Sequence, residues 1–114
     1  MRYADCVDEL LATPGVLAAL VVSREDGIVV DGNGHVGVDT DAVAALAASL
    51  YARAAAAAEA SDGGAPGFLH LEGELGRLCA VPRGDLLLVT VAEPFANLGL
   101  LRLAMRRLAE RLTP

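Results

Sequence analysis

Few residues in this chain of 114 have the types and spacing that chemistry requires. The densest set is the stretch 31–39, DGNGHVGVD, where Asp31, Asn33 and His35 fall in the first three ligand places of a calcium loop. The pattern then fails where it is strict. Val36 stands where glycine is required, and Ala42 where a bidentate glutamate is required. Gly32-Asn33-Gly34 is no phosphate loop either, because a third glycine at the right spacing is missing and the chain has no lysine. The stretch reads as a solvated connector. His70 sits in a short strand-like run and reads as a structural or interface histidine. Cys6 and Cys79 stand 73 positions apart, form no metal or redox motif, and read as packed core residues. Two histidines, two cysteines and no clustered carboxylate pair are too few to assemble nucleophilic, metal or acid–base chemistry. The expectation is therefore a non-enzyme with no metal and no cofactor.

The element around which the chain is organised is the run 41–60, DAVAALAASLYARAAAAAEA. Alanine is the best helix former, glycine and proline are absent, and Asp39 or Thr40 can cap the start. At ~1.5 Å per residue such a helix is roughly 30 Å long, enough to cross a small domain. It has no proper polar face. Val43, Leu46, Ala47, Leu50, Ala54 and Ala57 form one stripe, and Ala44, Ala48, Tyr51, Ala55 and Ala58 a second. A helix apolar nearly all round is buried on more than one side. One side can meet the chain's own core; the other calls for a second subunit, and a homo-oligomer is expected.

The flanking elements follow from period and punctuation. Residues 2–12 read as an amphipathic helix with Tyr3, Cys6, Val7, Leu10 and Leu11 on one face, closed by Pro14-Gly15. Residues 16–22 and 28–30 read as strands of a hairpin turned at Asp26-Gly27, both apolar on successive residues and so covered on both faces. Residues 68–72, 77–82 and 86–92 read as an antiparallel meander. Asn97 caps a last helix whose buried stripe is Leu98, Leu101, Met105, Leu108 and Leu112. The order α-β-β-α-β-β-β-α predicts a single α+β domain over residues 1–114, a three-layer α/β/α sandwich. Its five-stranded antiparallel sheet carries the terminal helices on one face and the long helix on the other.

Composition sets the outer limits. Hydrophobic residues make up 54% of the chain and much of that is alanine, so the core should be shallow and close-packed. A net charge of −6 argues against nucleic acid, which demands a basic footprint. The charge is uneven: residues 97–114 carry +3 and the rest −9. The basic last helix reads as a solvated outer face, with an acidic partner or a membrane surface as the alternatives. The N-terminal residues have acids and no apolar run, and no stretch is long enough to span a bilayer. A cytoplasmic protein with reduced thiols is expected.

These features together resemble the Roadblock (dynein light-chain roadblock type) family, specifically its bacterial single-domain members. The resemblance covers residues 4–112. It is carried by Thr13-Pro14-Gly15-Val16 leading into Val21-Val22-Ser23-Arg24-Glu25-Asp26-Gly27, and by the alanine-rich helix with Ser49-Leu50-Tyr51. Leu71-Glu72-Gly73-Glu74-Leu75-Gly76, and Leu86-Leu87-Leu88-Val89 before Ala96-Asn97-Leu98-Gly99, complete it. The resemblance implies homodimers or heterodimers joined through the long helix and the third strand. On this chain that seam would use Val43, Ala47, Leu50, Tyr51, Ala54 and Ala58 of the helix with Phe68 and His70 of the strand. It also implies a small Ras-like GTPase as partner, engaged on a surface that includes Ser49, Arg53 and Glu59, with GTPase activation in some members. Arg53, in mid-helix beside the seam, reads as an interface or snorkelling arginine rather than a donated finger. The alternative is a ligand-sensing or purely structural dimer with no GTPase partner.

Overall fold

The computed structural model describes residues 1–114. The elements are α1 (Tyr3–Leu11), β1 (Val16–Ser23), β2 (Val29–Gly34), α2 (Thr40–Ala60), β3 (Leu69–Gly73), β4 (Gly76–Arg83), β5 (Leu86–Ala92) and α3 (Leu98–Arg111). The strands form one antiparallel sheet in the order β2-β1-β5-β4-β3. The expected element order and the meander of the last three strands are both present. β1 and β5, the two strands richest in branched aliphatics, lie at the centre, where side chains on both faces meet a helix layer.

Two apolar clusters lie on the two sides of the sheet. On one side Cys6, Val7 and Leu10 of α1 and Leu101, Met105, Leu108 and Leu112 of the α3 region pack on Val21, Cys79 and Leu88. On the other, Ala44, Ala47, Ala48 and Tyr51 of α2 pack on Leu20, Val22, Ala80, Leu87 and Val89. The terminal helices thus share one face and α2 holds the other, as the three-layer reading required. The stripe of α3 is as expected except that Leu98 is half-buried and Ala109 joins the core.

β2 departs from the expectation. It starts at Val29, leaves Ile28 exposed outside the strand, and runs on to Gly34, so the first half of the expected connector is sheet. Asp31 pairs with Val21 and Val29 with Val22, leaving Val30 as the extra residue of a bulge. Glycine is what permits this path. A Cβ at Gly32 would come within 2.5 Å of Leu20 Cδ2, and one at Gly34 within 3.1 Å of Ala18 Cβ. Nor is β2 covered on both faces: it is an edge strand, and of the hairpin only β1 is buried, at every residue but Leu17 and Ser23.

Candidate interaction surface

α2 is fixed at both ends. The Asp39 carboxylate accepts a hydrogen bond from the Ala42 amide at 3.1 Å, the capping expected of a helix N-terminus. Tyr51 reaches the other way: its phenol donates to the Pro66 carbonyl at 2.8 Å, and Arg24 lies 4.8 Å above its ring. Arg24 in turn donates to the Gly84 carbonyl at 2.8 Å, tying the β1–β2 and β4–β5 turns to the helix. At Gly27 (φ +69°) an added Cβ would sit 2.9 Å from Ala45 Cα, so the helix backbone rests directly on the turn.

This anchoring decides which side of α2 is inward. Ala47 is fully buried and Tyr51 nearly so, both against the chain's own sheet. Both are expected at a seam between subunits; in the single chain they face its own core. The inward face is drawn from both stripes read in the sequence. Outward, Leu46 is 68% exposed, Ser49, Arg53 and Glu59 are exposed, and Leu50, Ala54 and Ala58 are half-buried on the flank. Leu46, Ser49, Leu50 and Arg53 line a shallow groove of about 330 Å³. Arg53 forms no ion pair within the chain.

β3 is the edge strand at the far side of the sheet. Leu69 packs toward the α2-side cluster, together with Leu78 and Val43. By strand alternation Leu71 shares that face, and it is 52% exposed. Phe68 and His70 lie on the opposite face. Phe68 packs against the α1/α3-side cluster with Arg102 5.2 Å from its ring centre. Arg77 Nη1 donates to His70 Nε2 at 3.1 Å and to Glu72 Oε1 at 2.8 Å. Since a guanidinium only donates, His70 Nε2 is the acceptor in this contact. The side chains beside α2 on this strand are therefore Leu69 and Leu71, not Phe68 and His70. Period-2 alternation already set Leu69 and Leu71 together on one face, and is the signal that places them on the α2 side of the sheet.

The other candidates stay apart. Asn33 Oδ1 accepts from the Gly34 amide at 2.8 Å, His35 is exposed, and no three His, Cys, Asp or Glu side chains come together as a metal set. Cys6 and Cys79 are free thiols in the α1/α3-side core. Burial pushes both up to about 11, with Glu9 adding to the effect at Cys6 and Arg77 and Thr90 opposing it at Cys79. Such thiols stay protonated and unreactive near neutral pH. No helix is long and apolar enough to cross a membrane.

What this geometry offers is an apolar helix face beside an open sheet edge, in a fold that known proteins share. The Roadblock/LC7 domain pattern matches residues 3–92. An uncharacterised protein of Methanocaldococcus jannaschii is 33% identical over 104 residues, 91% of this chain and 90% of its own length. Among solved structures, a Roadblock/LC7 domain from Streptomyces avermitilis superimposes with a TM-score of 0.87 at 24% identity, covering 97% of this chain and 94% of that one. An MglB solved in a tetrameric arrangement superimposes with a TM-score of 0.86 at 27% identity, over 96% and 83% of the two chains. Fold, element order and sequence agree, and the chain is a member of the Roadblock/LC7 domain family.

Proposed function

We propose that the protein is a non-enzymatic, homodimeric regulator or scaffold that binds a small Ras-like GTPase and modulates its nucleotide cycle. The observation that carries this is the outward side of α2, which exposes Leu46 and a run of alanines where a solvated helix would carry charge. The seam would pair Val43, Leu50, Ala54 and Ala58 with their counterparts and join the free β3 edges, covering Leu71. Family membership supports the GTPase as the class of partner, as does the MglB solved as a tetramer for the tendency to assemble. Ser49, Arg53 and Glu59, exposed on the same helix, would meet that partner, Arg53 as a cation for an acidic side chain.

The test is capture with the purified tagged protein from native cell extract whose GTPases have been loaded with a GTP analogue or with GDP. Recovery of a Ras-like GTPase, stronger in one nucleotide state and weakened by Arg53→Glu, is the expected result. Recovery of none in either state rejects the regulator reading and leaves a ligand-sensing or structural dimer. The dimer has its own check: Leu50→Arg or Ala54→Arg shifts the sedimenting mass toward monomer. A seam burying less than ~1,000 Å² would count against it.

A further inference from the structure

The α1/α3 layer has a pattern of its own. The two helices run antiparallel: the Tyr3 phenol donates to the Thr113 carbonyl at 2.6 Å, and Arg107 Nη2 meets Glu9 Oε2 at 3.0 Å. That register sets Asp5 at the height of Arg111 and Ala12 at the height of Ala104, next to Leu103. The inner stripes of both helices are used by the core. Their outer surfaces differ in sign. α1 shows Asp5, Asp8 and Glu9 to solvent beside Arg2 at its start, and α3 shows Arg102, Arg106, Arg107 and Arg111 with Glu110 as its one acid. Within the chain only Glu9 and Arg107 pair across the layer, so Asp5, Asp8, Arg106 and Arg111 have no ionic partner. Leu100 and Leu103 are 63% and 68% exposed, less than a turn apart, among those arginines.

We propose that this face takes a second copy of the same chain, about a two-fold axis running along the groove between α1 and α3, separately from the α2–β3 seam. Rotation about that axis lays each α1 over the partner's α3 without changing height along the helices, an isologous contact. Asp5 and Asp8 then meet the arginines at the C-terminal half of α3, and Ala12 lies beside Leu103. The acid-rich half of α1 faces the arginine-rich half of α3, where Glu110 is the one like charge, and the apolar parts face each other with no sliding. The overall charge of −6 makes copies repel elsewhere, so this is the face on which opposite signs select the pairing. An anionic membrane would attract the arginines but repel the acids of α1 in the same layer, which favours the protein copy.

The experiment is sedimentation velocity on the full chain at low and high salt, because an exposed ionic contact weakens once the Debye length falls from about 30 Å at 0.01 M to about 3 Å at 1 M. The wild type should at least double its number of copies at low salt: from one to two where the α2–β3 seam does not form, and from two to four or more where it does, since a seam dimer carries two such faces. The doubling itself is thus read independently of the seam. Asp5→Arg with Asp8→Arg, and separately Arg106→Glu with Arg107→Glu, should each abolish the doubling. An equimolar mixture of the two variants should restore it, since each α1–α3 contact again pairs opposite signs. Leu103→Asp, at a single exposed position, carries the same reading if a charge-reversed pair fails to fold. A mass independent of salt, doubling that survives Leu103→Asp, or a mixture of folded variants that fails to restore it overturns the proposal. So does binding of the wild type to phosphatidylserine vesicles with no doubled species.

Discussion

Tyr51 shows how one side chain sets the helix that matters. Its ring fills the α2-side cluster, its hydroxyl reaches Pro66, and its outer edge lies under Arg24. Tyr51→Phe removes only the hydrogen bond and should cost about 0.5–1.5 kcal/mol, with the oligomeric mass unchanged. Tyr51→Ala also opens a cavity and should cost about 3–5 kcal/mol, both measured by urea unfolding. The buried thiols give a pH prediction of definite sign. Cys6 and Cys79 titrate near 9 when solvated and near 11 when folded. Between those values the folded chain binds more protons than the unfolded one, so the thiols' contribution is intact below pH 9 and is lost as pH rises toward 11. The urea midpoint should fall across that window, and replacing both cysteines with alanine should flatten the fall. A midpoint rising over the same window would contradict the burial of both thiols.

At the scale of elements, the two sheet edges are unequal. β2 is blunted by a bulge, two glycines and the polar Asp31 and Asn33, features that discourage pairing with another chain. β3 is short and unbulged, with Leu71 half-exposed beside an open flank of α2. Leu71→Arg should therefore shift the sedimenting mass toward monomer with little loss of fold, whereas Val30→Lys on β2 should leave the mass unchanged. Equal effects at both edges would show that β3 has no special part. Much of this was legible in the residues. β5 was bounded correctly because a continuous aliphatic run lies between Gly84-Asp85 and Pro94, and Asn97 was recognisable as the cap of α3. The second half of β2 was not, since glycine has no side chain with which to signal a period. The inward side of α2 was also hidden: both its stripes are alanine-rich, and only the contacts of Gly27 with Ala45 and of Tyr51 with Pro66 choose between them. That ambiguity left open which alanines, and that Tyr51, face the chain's own sheet.

Across the whole molecule the two cores are unequal as well. The α1/α3 side buries leucines and Met105 from two helices, while α2 contributes three alanines and one tyrosine to its own side. Small side chains bury little area each, so the α2 layer adds less hydrophobic stabilisation to an isolated chain than its length suggests. It also leaves Leu46 and Leu71 in water. A second copy covering them would stabilise the folded state by mass action, because it binds folded chains and not unfolded ones. The thermal midpoint should therefore rise with protein concentration, and Leu50→Arg should both lower it and remove its dependence on concentration. The α1/α3 face gives no such effect at high salt, where its ionic contacts are screened. Differential scanning calorimetry over a hundredfold range of concentration at high salt isolates the α2–β3 contribution. A midpoint that does not move over that range would mean that the α2 layer is stable enough alone, and that its apolar face is kept bare for a partner other than a second copy.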